Sequence, residues 1–333
     1  MEDAQFWLPL IFAGLLGLSI LIYVCLDGYD LGVGILFARA EDDEKDSMIA
    51  SIGPFWDANE TWLVLSIGIL LVAFPTAYGE ILSTLYLPVA TMLIGLILRG
   101  VAFEFRAKVK PEKKPTWNRL FFAGSLAVAL AQGFMLGLYI MGLRIDAVTI
   151  AFACLTAICL AIGYAFVGAT WLVLKMEDEL QQKAIGWARA SIWFVALGFG
   201  AISAVSPWVS PRIFEKWFSM PELIYLSPLP IAAAGNLIWL WFVLGRLKTD
   251  PAKRAWEPFV RAVAIFALAF IGLAYSFYPY IVPDMLTIYE RTTAPESLMF
   301  MLIGALIVLP FILGYTIYAY WVFRGKATQL RYD

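Results

Sequence analysis

Long apolar runs separated by short polar stretches recur along the whole chain. Each run is as long as the roughly 20 residues that an α-helix needs to cross a bilayer, and the alternating pattern of a membrane β-barrel is absent. We place nine such segments at residues 6–40, 47–74, 81–105, 120–143, 147–174, 184–208, 223–244, 260–281 and 298–323. The pattern predicts an all-α polytopic membrane protein, with one transmembrane domain over residues 1–333 and no soluble domain.

Basic residues fall unevenly on the two sides of this arrangement. With nine helices, 17 of the 24 Lys and Arg residues lie in the loops and tail of one side, four lie on the other side, and the remaining three lie within segments. Loops rich in Lys and Arg stay in the cytoplasm. The sequence therefore predicts an N-terminus outside the membrane and a cytoplasmic C-terminus.

Composition narrows the chemistry that this chain can perform. Hydrophobic residues make up 62% of it and charged residues 15%, where soluble domains have about 25% charged residues. The 333 residues include no histidine, and the three cysteines form no Cys-x-x-Cys pair, so we expect no metal site and no haem ligand from histidine. The loops show no basic patch with interleaved aromatic residues, so no nucleic-acid partner is expected.

Carboxylates occur inside the first two segments, where an ionised acid costs several kcal/mol. Asp27 and Asp30 are three residues apart in the first segment and share a helical face. Asp57 and Glu60 occupy the start of the second segment. Groups this costly are kept only where they have partners, water or a protonation role.

Three further features accompany these acids. Gly28 and Gly32 form a small-xxx-small pair that lets another helix approach the first segment closely. Pro54 removes a backbone donor near the start of the second segment and loosens the helix there. Trp56, two residues later, is expected to take part in helix packing. In the third segment, Arg99 and Glu104 are the expected charge partners of the acids.

The predicted orientation places the four carboxylates and Arg99 at a similar depth in the cytoplasmic half of the membrane, where we expect them to converge. In one interpretation, Arg99 pairs with Asp30 or Asp57 and holds three helices together. In the other, the surplus acids line a hydrated path for protons, with Asp57 as the main relay, followed by Asp30, Glu60 and Asp27. One guanidinium cannot neutralise four acids, which favours the second interpretation.

Three stretches of the first third of the chain resemble a known family. They are residues 27–34 (DGYDLGVG), 52–62 (IGPFWDANETW) and 99–106 (RGVAFEFR). Together they resemble subunit II of the cytochrome bd-type quinol oxidases. The sequence at residues 59–62 (NETW) and the short chain length are similar to those of the cyanide-insensitive branch of that family.

The resemblance implies a heterodimer in the bacterial cytoplasmic membrane that oxidises quinol and reduces dioxygen to water. Each subunit has nine helices, arranged as two four-helix bundles and a peripheral helix. Subunit I carries the quinol site, two b-type haems and one d-type haem, whereas subunit II binds none of these. The family's proton path from the cytoplasm includes the aspartate at the position of Asp57. A structural quinone and a small single-helix accessory subunit, with membrane lipid, are partners found in some members.

A cation- or proton-coupled secondary transporter is the alternative function. Buried carboxylates and glycines in the first three segments suit ion coupling. Neither an inverted repeat nor a pair of broken helices is apparent, although transporters commonly have them. A haem-coloured complex with a larger second chain would indicate the oxidase, and a colourless homomer would indicate the transporter.

Overall fold

The computed structural model of the chain describes residues 2–327, so that Arg331, one of the basic residues used to orient the chain, lies outside them. Short 3-10 turns occupy Phe37–Arg39 and Pro111–Lys113, and a two-stranded antiparallel sheet pairs β1 (Tyr280–Val282) with β2 (Leu286–Thr287). The helices are α1 (Glu2–Leu36), α2 (Glu44–Ile52), α3 (Trp56–Ala73), α4 (Pro75–Lys108), α5 (Lys114–Ile140), α6 (Ala147–Lys175), α7 (Asp178–Val209), α8 (Pro211–Phe218), α9 (Glu222–Leu226), α10 (Pro228–Leu247), α11 (Glu257–Phe277) and α12 (Pro295–Val322).

Within residues 2–327, nine helical stretches are long and apolar enough to cross a membrane, as predicted. Helices α9 and α10 together form one of them, over residues 222–247. Helices α1, α3, α4 and α5 make up a first group, and α6, α7, α10 and α11 make up a second, with α1 and α6 packed together between the groups. Helix α12 lies at the periphery, where only 6% of its most apolar stretch is buried.

Small residues bring α1 and α6 unusually close together. A Cβ atom at Gly32 would collide with the backbone of Tyr164 and Gly168 on α6, and one at Gly28 would lie 2.8 Å from the Tyr164 ring. Gly168 has the reciprocal contact with the backbone of Gly32. This crossing fixes the position of the half of α1 that carries Asp27 and Asp30.

The predicted second segment, residues 47–74, is divided in two. Helix α2 ends at Ile52, and α3 begins only at Trp56. The Phe55 amide bonds the carbonyl of Ile52 at 2.9 Å, three residues back, because Pro54 has no N–H with which to continue the helix. A single continuous helix was therefore the wrong prediction, and the break sets the rotation of α3 independently of α2.

Two other boundaries also differ from the predictions. Residues 75–80 belong to α4, because Pro75 occupies the first helical turn, where its missing N–H costs nothing. The predicted eighth segment, residues 260–281, ends as a helix at Phe277, and the chain continues into the short strands β1 and β2. The prediction of an all-α chain overlooked these few strand residues, which are too short to leave a pattern of alternation.

We call the end of the bundle that carries residues 37–55, 109–113 and 248–256 the basic end. A compact ion network ties helices together there. Asp46 on α2 contacts Arg106 on α4 at 2.6 Å and Lys114 on α5 at 3.1 Å. Arg106 is only 4% exposed, so Asp46 neutralises a nearly buried cation. Burial raises the pKa of the Asp46 carboxyl, but its hydrogen bonds with Lys114 and Arg106 outweigh burial, and the pKa lies below its ordinary value of 3.8.

We expect Asp46→Asn to lower the thermal midpoint of the detergent-solubilised protein at pH 7, by an amount equivalent to about 1–2 kcal/mol. A depressed pKa stabilises the fold above the ordinary pKa, and this stabilisation is lost as the pH falls through the folded-state pKa. The difference between the variant and the parent should therefore vanish in strong acid. Asp43→Asn, at an exposed neighbouring position, is the matched control. Equal midpoints for both variants at pH 7 would contradict the role of Asp46.

Candidate functional site: a buried acid cluster

Helix α1 places a line of polar side chains inside the protein. Tyr23, Asp27 and Asp30 follow one another at spacings of four and three residues and so lie on one helical face. Asp27 and Asp30 are both 0% exposed. Because unpaired charges are rarely buried, the contacts of these two acids determine what the site can do.

The first contact is an ion pair between α1 and α4. The Arg99 Nη2 atom donates to Asp27 Oδ1 at 2.6 Å, and the two side chains are 1% and 0% exposed. The guanidinium carbon lies 5.8 Å from the centre of the Trp56 ring, which packs on Phe103 at 4.7 Å. The expected partners of Arg99, Asp30 or Asp57, were wrong. Asp30 is bound by Asn59 of α3 instead, and Asp57 is exposed.

The rotation of α3 separates the acids of the second segment. Asn59 is fully buried and faces α1, whereas Asp57 is exposed. Two residues along a helix correspond to a turn of about 200°, so Asp57 points away from the cluster when Asn59 points into it. Glu60 is half-buried, between these two directions. The prediction that four carboxylates converge is therefore wrong for Asp57. Its side chain lies on the outer wall of α3.

Asn59 is the central hydrogen-bonding residue of the cluster. Its Nδ2 atom donates to Asp30 Oδ2 at 2.8 Å and to the Tyr29 hydroxyl at 2.9 Å. The hydroxyl of Tyr320, on α12, donates to Asn59 Oδ1 at 3.1 Å and lies 2.5 Å from the hydroxyl of Tyr29. Sequence reasoning missed all three of these residues as site residues. Asn59 lies within the recognised motif, but no spacing in the sequence connects Tyr320 with it.

A second polar group continues along α1 beyond the acids. The Tyr23 hydroxyl accepts a hydrogen bond from Gln132 Nε2 at 2.5 Å, and the Tyr164 hydroxyl donates to Gln132 Oε1 at 2.7 Å. These side chains come from α1, α5 and α6. The line of polar groups on α1 therefore runs from Asp30 to the junction of the two helix groups.

Glu104 is not a charge partner of the acids. Its side chain is exposed and lies 3.3 Å from Lys108, one turn further along α4. Five positions after Arg99 on a helix correspond to about 500°, or 140° beyond a full turn, so Glu104 faces a different direction. Pro54 forms the break before α3, and Trp56 contacts Arg99 and Phe103 as described above.

The two buried aspartates differ in the groups that stabilise their negative charge. Asp27 has a cation, whereas Asp30 has one amide donor. Asp27 Oδ2 and Asp30 Oδ1 are buried and have no hydrogen-bond partner among residues 2–327. A buried carboxyl with a free oxygen and no cation of its own is suited to taking up and releasing a proton.

The donor set of this chain does not fit a haem. The sequence contains no histidine, and in the described part of the chain no three His, Cys, Asp or Glu side chains come together as metal ligands. Nine helices long and apolar enough to cross a membrane, within residues 2–327, and a buried acid cluster near the basic end define a polytopic helical membrane protein.

The chain belongs to the cytochrome bd terminal oxidase subunit II family, and the sequence model of that family matches residues 8–323. It is 31% identical, over 331 residues, to cytochrome bd ubiquinol oxidase subunit 2 of Bacillus subtilis (strain 168), covering 91% of this chain and 92% of that protein. It is 25% identical to cytochrome bd-I ubiquinol oxidase subunit 2 of Escherichia coli (strain K12), covering 95% of this chain and 94% of that protein.

The fold is similar to a solved structure of the bd oxidase from Geobacillus thermodenitrificans. The TM-score is 0.79 at 16% sequence identity, and the match covers 96% of this chain and 99% of the other. Family membership makes the chain a subunit of a cytochrome bd quinol oxidase, an oxidoreductase and terminal respiratory oxidase. It also places the chain in the bacterial cytoplasmic membrane with subunit 1 as its partner. The resemblance to subunit II of the cytochrome bd oxidases is confirmed, the cyanide-insensitive branch stays a prediction, and the transporter alternative is set aside.

Proposed function

We propose that this chain stabilises the haem-bearing subunit I and carries protons to it from the cytoplasmic side, which we equate with the basic end. The observation that carries the proposal is the exposure of Asp57 on the outer wall of α3. Reduction of dioxygen to water consumes protons, and a supply from the cytoplasm makes turnover electrogenic.

The surroundings of Asp57 support a protein partner at this wall. Thr61 and Val64, one and two turns further along α3, are also exposed and continue the same stripe. A carboxylate in the first turn of a membrane span, beside exposed apolar side chains such as Val64, is costly against lipid. It becomes acceptable where a second subunit and water cover it. The wall of α3 is therefore suited to docking subunit I around a hydrated path.

The neighbouring spans offer apolar surface for the same contact. Only 17% of the most apolar stretch of α4 and 6% of that of α12 is buried within this chain. Their most exposed large hydrophobic side chains are at least 62% exposed and are Tyr86, Leu87 and Ile97 on α4 and Phe300, Leu306, Phe311, Tyr315 and Ile317 on α12. Covering such side chains with the larger subunit is how this chain would stabilise it.

The acid cluster has a separate place in the proposed path. Glu60 is half-buried and points between the directions of the exposed Asp57 and the buried Asn59. Because Asn59 contacts Asp30, Glu60 is suited to exchanging protons with both acids. Arg99, paired with Asp27, provides the fixed positive charge that orients the cluster. In this scheme Asp57 is the relay at the subunit interface. The acids Asp30, Glu60 and Asp27 are further proton-exchanging groups in the interior of the chain.

The cofactors of the proposed complex lie on the partner. Subunit I would carry two b-type haems and one d-type haem, which supply electron transfer and oxygen chemistry. The lack of histidine in this chain agrees with that division. A structural quinone, a single-helix accessory subunit and bound lipid are the further partners included in the proposal.

Photo-crosslinking of the assembled oxidase tests the docking face. A crosslinking residue at Val64, 68% exposed on α3, should capture subunit I. The same residue at Phe242, 60% exposed on α10 in the second helix group, is the matched control and should not. Capture of subunit I from Phe242 and not from Val64 would contradict the proposed interface.

A further inference from the structure

Helix α12 lies at the periphery, yet one of its side chains enters the acid cluster. Leu298 and Ala319 are its buried residues in the described structure, and most of its surface is exposed. Tyr320, in its last turn, contacts Asn59 and Tyr29 through its hydroxyl. The same ring stacks on Phe55 at 4.5 Å, within the break before α3. The end of α12 therefore covers the acid cluster from the side.

The proton positions in this group can be assigned from donors and acceptors. Asn59 uses one N–H for Asp30 and the other for the Tyr29 oxygen. The Tyr29 hydroxyl proton is then available to the Tyr320 oxygen, and the Tyr320 proton to Asn59 Oδ1. The result is a closed ring of Asn59, Tyr29 and Tyr320, in which each group donates once within the ring and accepts once. Asn59 has one N–H left outside the ring, and that N–H faces Asp30.

This ring determines whether the N–H end or the oxygen end of the Asn59 amide faces Asp30. An N–H donor favours an ionised carboxylate, whereas an amide oxygen can face the same carboxyl only when it is protonated. Amide orientation follows from the surrounding hydrogen bonds. The Tyr320 hydroxyl supplies the donor that keeps the Asn59 oxygen on the side away from Asp30.

We propose that Tyr320 is a positioning residue for proton exchange: its hydroxyl holds the Asn59 amide so that an N–H donor faces Asp30. The inference deepens the proposed proton-delivery function and rests on it. It assigns a role in this exchange to the peripheral helix α12, which is otherwise proposed only as a docking surface for subunit I.

Contacts at the end of α12 keep Tyr320 in place. The Lys175 ammonium group donates to the carbonyls of Phe323 and Gly325, directly after α12, and the Lys326 ammonium group donates to the carbonyl of Met176 at 2.7 Å. Cations at the carbonyl end of a helix satisfy groups that lack helical partners. The last turn of α12 is therefore fastened to α6 beside the cluster.

Several other groups contribute to the electrostatic environment of Asp30. The titratable and charged side chains nearby, from the elements packed against it, are Asp27 and Tyr29 on α1, Glu60 on α3, Arg99 on α4 and Tyr320 on α12. Tyr164 on α6 lies close to Asp27 instead. Tyr320→Phe changes none of the carboxylates or the guanidinium and keeps the ring that stacks on Phe55. Its effect therefore reports the loss of one hydroxyl.

The test uses the assembled oxidase with its subunit I, carrying Tyr320→Phe. The acid limb of the pH profile of quinol-dependent oxygen consumption should shift upward by about one pH unit, which corresponds to 1.36 kcal/mol, because weakening the N–H donor to Asp30 disfavours its ionised form. The infrared band of the protonated Asp30 carboxyl, identified by its loss in Asp30→Asn, should titrate with the same upward shift. Asn59→Leu, which removes the donor itself, should shift both at least as far.

Tyr318→Phe is the matched control, because Tyr318 lies on the same helix and is 61% exposed. It should leave the profile and the infrared titration unchanged. If Asp30→Asn changes the oxygen profile but Tyr320→Phe and Asn59→Leu leave both measurements at the parent values, the positioning role is overturned and the proton function stands. If Asp30→Asn leaves oxygen consumption at parent rates at every pH, the role of the cluster in proton delivery fails instead.

Discussion

Arg99→Met is expected to reduce the yield of haem-containing oxidase severely. Methionine has a suitable volume, but it leaves Asp27 as a fully buried carboxylate without its cation. Removing one partner of a buried ion pair costs about 3–5 kcal/mol, which is comparable to a large part of the stability of a folded domain. The measurement is the amount of assembled complex, from its haem absorbance, together with its thermal midpoint.

A double variant identifies the cause of that loss. Asp27→Asn in the Arg99→Met background removes the uncompensated charge, so we expect most of the lost complex to return. Arg119→Met, at an exposed position close to the start of α5, is the matched single-site control and should assemble normally. If the double variant assembles no better than Arg99→Met alone, the ion pair with Asp27 is not what Arg99 provides.

The membrane spans could be predicted from the sequence because the length of each apolar run is enough to identify it. An uninterrupted apolar run of about 20 residues is rare outside membrane helices, and the nine runs match the nine helical spans of residues 2–327. The break at residues 53–55 was only partly visible. Pro54 marked a weak point, but many membrane helices continue through a proline when neighbouring groups satisfy the freed carbonyl. The deciding bond, from the Phe55 amide to Ile52, is a property of the folded chain.

The acid cluster was predicted in part for a related reason. Asp27 and Asp30 share a face by helical spacing, and Arg99 was recognised as their expected cation, although the partner it takes is Asp27. The rotation of α3 could not be predicted. In a soluble helix the apolar face points inward, but α3 buries Asn59 and exposes Val64 on its outer side. With apolar residues favourable on both sides, the pattern does not say which acid faces the interior.

The same limitation applies to Tyr320, which sequence reasoning missed. It lies 261 residues after Asn59, on a helix with almost no buried surface of its own. Tyrosines near the ends of membrane helices are normally interfacial, and the neighbouring Tyr318 is indeed exposed. Only the docking of α12 against α1 distinguishes the two side chains.

Exposure of Asp57 makes its proposed role separable from a structural one. The Asp57 carboxyl takes part in no ion pair or hydrogen bond within residues 2–327, and its backbone carbonyl accepts from Thr61 whatever the side chain. Substitutions at exposed positions without such contacts usually change stability by less than about 0.5 kcal/mol. Asp57→Asn should therefore assemble with subunit I and keep the haem spectrum of the parent complex.

Quinol-driven oxygen consumption by Asp57→Asn should nevertheless fall, on the order of tenfold or more, because an amide cannot exchange a proton as a relay carboxyl does. Asp57→Glu, which keeps the carboxyl, should retain much of the rate. Glu104→Gln removes another exposed carboxyl, on α4, and should consume oxygen at the parent rate. Parent-like turnover in an assembled Asp57→Asn oxidase would rule out the relay, and loss of haem from it would instead assign Asp57 to holding the two subunits together.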